Sequence, residues 1–163
     1  DPRDAAVSIM HYFGLPSISD TLDSMNFLSI GNKGNIGYEW NEFNIGWLNC
    51  SYFPYILARY EDFHKNPGEM LQHCIGSISR NSGFAIEIDQ KRIAEVVTRQ
   101  EIKNKKKAIE TEPENWRSYH RGIQRNTLRN GLVGEWRDVF TKEDNAKAIR
   151  YFGETMKRLG YKP

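Results

Sequence analysis

Residues 52–60 most limit what this chain can fold into. They are dense in aromatic and branched apolar side chains, in a run too short for a free-standing helix, which predicts a buried strand. A helix should follow, because Asn66 can cap it, Pro67 suits its first position and Glu69 occupies the place of a capping-box acid. A strand followed by a helix predicts an α/β domain.

The other elements are predicted as helices from caps and apolar spacing. Asp1, Pro2 and Asp4 favour a helix that begins at the first residues, and Gly14 suits its end. Residues 141–144 resemble a capping box at the start of the last helix, which Gly160 should follow. Three further helices are predicted over residues 21–30, near residues 40–48 with an aromatic face in the core, and from about 89 to 105, with a turn at residues 80–83.

Composition and charge exclude several classes of protein. Lys and Arg number 23 against 21 Asp and Glu, a balance too even for a protein that coats nucleic acid. The apolar runs are far shorter than the roughly 20 residues that span a bilayer. Cys50 and Cys74 lack the paired spacing of a structural zinc site, and no acidic pair has a ligand spacing. We therefore expect one domain over residues 1–163, with no nucleic-acid partner, no membrane association and no metal.

Residues 129–136 are the segment most suited to chemistry. Gly131 and Gly134 let the backbone approach a bound group and present its N–H donors, and Arg129 adds a fork of donors that matches phosphate oxygens. A local anion site is one interpretation of this pattern, and a plain turn is the other.

Three blocks lie apart along the chain: residues 1–8, residues 59–62 with Asn66 and Pro67, and residues 129–136 with Phe140 and Thr141. These blocks resemble the C-terminal two-thirds of a soluble sulfotransferase, and they occur in the order of that family. The resemblance covers nearly the whole chain. It implies an α/β fold related to the P-loop kinases, with a parallel sheet and flanking helices. It also implies transfer of a sulfuryl group from 3′-phosphoadenosine 5′-phosphosulfate (PAPS) to a hydroxyl or amine of a small-molecule acceptor.

The resemblance assigns nucleotide-binding roles to residues that match the family's motifs. Ser8 matches the serine that holds the 3′-phosphate, and Arg129, Asn130 and Gly131 match an Arg-Lys-Gly that clamps the same group, with Asn130 in place of the usual Lys. Tyr60 matches an aromatic residue beside the adenine, and Thr98 lies near the position of a further nucleotide-contacting Ser. The cofactor-binding set is thus Ser8, Tyr60, Thr98, Arg129, Asn130 and Gly131.

The resemblance places the rest of the family's site N-terminal to Asp1. The phosphate loop, its lysine and the histidine base find no counterpart in these residues, and none of His11, His64, His73 and His120 occupies the catalytic position. We therefore expect a partial sulfotransferase domain that supplies the 3′-phosphate half of the nucleotide site, and we assign no catalytic residue. The expected compartment is the cytoplasm, and the oligomeric state stays open.

Two alternatives remain at this point. A non-enzymatic module could use the Lys103 to Lys107 run and the Arg129 loop to bind a polyanion. A truncated, inactive sulfotransferase fragment could bind the nucleotide poorly and act only as a structural partner.

Overall fold

The computed structural model describes residues 1–26, 39–101, 104 and 131–163, whose regular secondary structure is helical. Over these residues the chain forms eight helices and no β-strand. In chain order they are α1 (Pro2–Phe13), α2 (Ile18–Asn26), α3 (Trp40–Leu48), α4 (Tyr60–Lys65), α5 (Pro67–Ser82), α6 (Gln90–Gln100), α7 (Trp136–Val139) and α8 (Lys142–Arg158).

The predicted α/β fold with a parallel sheet is wrong for the described part of the chain. Residues 52–59 are irregular, and Tyr52 and Phe53 are 89% and 69% exposed. A strand is stable when its N–H and C=O groups pair with a neighbouring strand, and the described residues contain no strand to pair with. Although residues 52–59 have high β-propensity, they have no strand to pair with among the described residues. They therefore form an irregular connection that ends where α4 begins.

The described residues divide into two compact units, residues 1–53 with 132–163 and residues 54–131. In the first unit, α1, α2 and α8 pack around one apolar core. Phe152 and Met156 of α8 are fully buried, as are Leu22 of α2 and Val7 of α1. Trp40 of α3 packs edge-on against Phe152, with ring centroids 5.4 Å apart.

The helix ends in this unit follow the predicted caps. The Asp1 side chain accepts from the Arg3 amide, and Gly14 ends α1 in the left-handed conformation with φ 62°. Thr141 and Asp144 form a complete capping box at the start of α8. The structure thus confirms the predicted caps. They could be predicted because each cap joins residues two to four positions apart.

The second unit contains α4, α5 and α6. Pro67 takes the first position of α5 as predicted, but the Asn66 side chain makes no capping bond. Asp89 caps α6 by accepting from the Arg92 amide at 3.1 Å. Ile93 of α6 is buried, and its Cγ2 would lie 3.9 Å from a Cβ placed on Gly68 of α5.

Several predicted boundaries and faces differ from the structure. The turn predicted at residues 80–83 is wrong, because α5 continues to Ser82 and ends at Gly83. Helix α6 ends at Gln100, earlier than predicted. The aromatic face of α3 is core only in part, because Trp40 packs against the core whereas Phe43 and Trp47 are each about half exposed. The end of the helix predicted over residues 21–30 lies outside the described residues.

Asp23 joins α2 to α8 through two charge-assisted bonds. Its carboxylate accepts from Lys147 Nζ and from the Tyr151 hydroxyl, each at 2.8 Å. Burial opposes ionisation of Asp23, but these hydrogen bonds and the positive charges of Lys147 and Arg150 hold its pKa below its ordinary value. The ion pair therefore favours the folded state whenever Asp23 is ionised.

Removing the side chain of Phe152 tests the position of the core. Phe152→Ala should lower the free energy of unfolding by about 3–5 kcal/mol, because the lost transfer energy and the cavity add together. Ile149→Ala on the same helix is the control, since Ile149 is 36% exposed. Chemical denaturation measures both, and equal losses would contradict the packing described for α8.

Acid titration tests the Asp23 contacts. A depressed pKa in the folded state gives stability that is present above the unfolded pKa and is lost as the pH falls through the folded one. The stability difference between the parent and Asp23→Asn should therefore shrink below about pH 4. At neutral pH it should stay within about 1 kcal/mol, because the Asp23 carboxylate is 45% exposed. Denaturation at several pH values measures it, with the exposed Glu154→Gln as control, and a constant difference would contradict the contacts.

Candidate functional site

Asp4 of α1 binds the backbone at the start of α7. Its Oδ2 accepts from the Gly134 amide at 2.7 Å, and its Oδ1 accepts from the Trp136 amide at 3.0 Å. The sequence pattern marks Asp4 only as an acid that favours a helix N-terminus. The amides of residues 134 and 136 thus already bind an anion, and that anion belongs to the chain.

Arg3, the neighbour of Asp4, lies buried against the same segment. Its guanidinium carbon lies 3.9 Å from the ring centroid of Trp136. The guanidinium also donates to Asn145 Oδ1 at 3.1 Å, to the Lys162 carbonyl at 2.8 Å and to the Asp1 carboxylate. Burial lowers the pKa of Arg3, but a guanidinium keeps its charge at any physiological pH.

The two glycines predicted to let the backbone turn closely both adopt left-handed conformations. Gly131 has φ 62° and Gly134 has φ 84°, a region that residues with a Cβ rarely occupy. Most other residues at positions 131 and 134 would therefore strain the backbone of this segment.

Tyr60 and Gly131 are the two predicted site residues that the described structure brings together. The Tyr60 hydroxyl donates to the Gly131 carbonyl at 3.0 Å, and the Tyr60 side chain is 55% exposed. Tyr60 opens α4, where Arg59 pairs with Asp62 at 2.8 Å and lowers the pKa of that carboxyl. This pairing supports the helix turn that carries Tyr60.

The remaining predicted residues stand apart or lie outside the described residues. Ser8 is exposed on α1, on the side away from the buried Ala6 and Val7. Thr98 is exposed on α6, and its hydroxyl donates to the Ala94 carbonyl at 2.9 Å. Arg129 and Asn130 lie outside the described residues, as do Lys103 and the lysines at 105–107.

No group of three or more His, Cys, Asp or Glu side chains among the described residues could hold a metal ion. Among the helices of residues 1–26, 39–101 and 131–163, none is long and apolar enough to cross a membrane.

Comparison with known proteins gives one match. A family model described as sulfotransferase domain matches residues 1–160 of the chain. No curated protein and no solved structure matches the chain. The match extends over all three blocks on which the sequence resemblance rests.

Substitution of Gly134 tests the left-handed turn. Gly134→Ala should lower the free energy of unfolding by about 1–2 kcal/mol, because φ 84° is unfavourable for a residue with a Cβ. The added Cβ would meet only the end of the Arg137 side chain, which can move away.

Gly46→Ala is the matched control of opposite sign. Gly46 lies within α3, and a Cβ built there meets nothing within 4 Å. This change should raise the free energy of unfolding by about 0.5–1 kcal/mol. Denaturation of both variants measures the pair, and a stabilising Gly134→Ala would contradict the turn geometry.

Proposed function

The chain belongs to the sulfotransferase domain family, and from this premise we propose that it supplies the 3′-phosphate half of a nucleotide site in a PAPS-dependent sulfotransferase. The observation that carries the proposal is the family match over residues 1–160, which includes every residue assigned to that site. The match also runs through both compact units, which supports one sulfotransferase domain over residues 1–163.

Ser8 is proposed to donate its hydroxyl to the 3′-phosphate. Its exposure on α1 leaves that hydroxyl accessible to a ligand, and a hydroxyl is a good donor to a phosphate oxygen. Arg129 and the backbone of Asn130 and Gly131 are proposed to clamp the same phosphate. The left-handed Gly131 suits a backbone that must approach a ligand closely.

Tyr60 is proposed to lie beside the adenine. Tyr60 is 55% exposed, so its ring offers a stacking face while its hydroxyl donates to the Gly131 carbonyl. The aromatic residue and the phosphate-binding backbone are thereby proposed to act as one unit. Thr98 is the further nucleotide contact, with an exposed hydroxyl that keeps its lone pairs free to accept.

The residues present bind and orient, and none is assigned to the chemical step. The sulfuryl group passes in line from the donor to an acceptor hydroxyl or amine: a bond forms between sulfur and the acceptor oxygen or nitrogen, and the bond between sulfur and the 5′-phosphate oxygen breaks. Adenosine 3′,5′-bisphosphate leaves, and the acceptor gives its proton to a base that is not assigned among these residues. Holding the 3′-phosphate positions the reacting end of the donor, and alignment of this kind lowers the barrier without itself moving the proton. The acceptor is proposed to be a small molecule, and the compartment to be the cytoplasm.

Nucleotide selectivity tests the proposal. In a thermal-shift titration of the full-length protein, adenosine 3′,5′-bisphosphate should stabilise at lower concentration than adenosine 5′-phosphate, because only the former has the 3′-phosphate. Ser8→Ala should weaken bisphosphate binding by roughly tenfold or more, as expected for a hydrogen bond to a charged group. Ser24→Ala on α2 is the matched control.

Other results would favour the alternatives. Binding without preference for the bisphosphate, and with a steep loss as salt rises, would indicate a polyanion-binding module. Indifference to both nucleotides would indicate an inactive member of the family. Either result would contradict the proposed nucleotide site.

A further inference from the structure

A cavity of about 500 Å³ lies beside α5, within the second unit. Cavities that hold small organic ligands have volumes of about 300–1,000 Å³, so this one has the size of a ligand site. We call it the α5 cavity. It is lined by residues 55–57 and by His73, Ser77, Arg80 and Asn81.

The polar part of this lining comes from one side of α5. Its four polar residues recur at spacings of three and four positions, which places them on one face of the helix. The apolar part comes from the irregular connection before α4. The α5 cavity therefore combines a polar and an apolar surface, as sites for small organic molecules do.

Ser77 holds the guanidinium of Arg80 at the cavity. Ser77 is 8% exposed, and its Oγ accepts from Arg80 Nη2 at 3.0 Å. Arg80 Nη1 lies 3.5 Å from the place of a Cβ built on Gly76, so the guanidinium folds back along α5. Among the described residues Arg80 forms no ion pair and donates to Ser77 alone, so its other N–H groups remain available to a ligand.

The charge of the lining favours an anion. Arg80 gives the cavity a permanent positive charge, and no described residue that lines it is acidic. A guanidinium presents a planar fork of donors that matches the two oxygens of a carboxylate. The Ser77 oxygen accepts from Arg80, which leaves the Ser77 hydroxyl proton to be donated to the same carboxylate.

Residues 55–57 favour a ligand that also has an apolar body. Tyr55 and Leu57 are 42% and 49% exposed, so part of their apolar surface is in contact with water. Covering such surface with an apolar group is favourable, and the Tyr55 ring also offers a face for stacking. An inorganic ion would cover none of this surface, whereas a carboxylate attached to a ring system would use both parts of the lining.

We propose that the α5 cavity binds a small aromatic monocarboxylate. Its carboxylate contacts Arg80 and Ser77, and its ring system lies against residues 55–57. The site contains none of the residues assigned to the nucleotide, and it does not depend on the proposed function.

Calorimetry with the full-length protein and three probes tests the site. The probes are 2-naphthoate, the neutral 2-naphthamide and acetate, which has the charge without the rings. The parent protein should bind 2-naphthoate at least tenfold more tightly than either of the others, because only 2-naphthoate satisfies both parts of the lining.

Substitution of Arg80 tests the contact with the anion. Arg80→Gln should lower the affinity for 2-naphthoate roughly tenfold or more and leave that for 2-naphthamide unchanged, as expected for a charge-assisted bond. Arg80→Lys keeps the charge without the fork and should bind 2-naphthoate with intermediate affinity. Arg99→Gln is the matched control, since Arg99 is the exposed basic residue in the last turn of α6, as Arg80 is in α5.

Substitution of Leu57 tests the contact with the rings. Leu57→Ala should weaken 2-naphthoate and 2-naphthamide by the same factor, because it removes apolar surface and no charge. Ile78→Ala is the matched control, since Ile78 is also 49% exposed and does not line the cavity. Thermal unfolding of each variant checks that it folds.

Several results would overturn the proposal. Equal affinities for 2-naphthoate and 2-naphthamide, or an unchanged 2-naphthoate affinity in Arg80→Gln, would refute the anion contact. Acetate that binds as tightly as 2-naphthoate would refute the contact with the rings. Displacement of 2-naphthoate by excess adenosine 3′,5′-bisphosphate would place it in the nucleotide site instead, and absence of 2-naphthoate binding would refute the site altogether.

Discussion

The buried guanidinium of Arg3 is the contact on which the first unit depends. That unit is assembled from two stretches of chain, residues 1–53 and 132–163, and Arg3 binds Asp1 in one and Asn145 and the Lys162 carbonyl in the other. A buried charge is costly unless its donors are satisfied. The geometry that satisfies Arg3 therefore also fixes how α1 meets α8 and the end of the chain.

The residues next to Arg3 give the N-terminal block, residues 1–8, a role in stabilising the fold. Asp1 caps α1, Pro2 begins it, and Asp4 reaches the backbone of α7. The block that resembles the family's 3′-phosphate region thus also anchors residues 134–136, which belong to another of the three blocks. In a member of the sulfotransferase domain family, this couples two blocks that are far apart in sequence.

The strand predicted at residues 52–60 does not form, because the described residues contain no strand with which it could pair. β-propensity describes a side chain that fits a pleated, half-buried surface, so it has meaning only where a neighbouring strand supplies the surface. Tyr52 and Phe53 meet no such neighbour among the described residues and stand exposed. The aromatic face of α3 is covered at Trp40 but not at Phe43 or Trp47, because helical spacing defines a face without saying what covers it.

The sequence by itself determined the local features of this protein. The caps at Asp1 and Thr141 and the end of α1 at Gly14 were predictable, because each depends on residues a few positions apart. The family could also be identified from three short sequence blocks that occur in the family's order. Only the tertiary structure decided that Asp4 holds Gly134 and Trp136, that Tyr60 meets Gly131, and that residues 52–59 form no strand. These depend on contacts between residues 71 to 132 positions apart, or on a partner strand that is missing from the described residues, and spacing along the chain does not encode either.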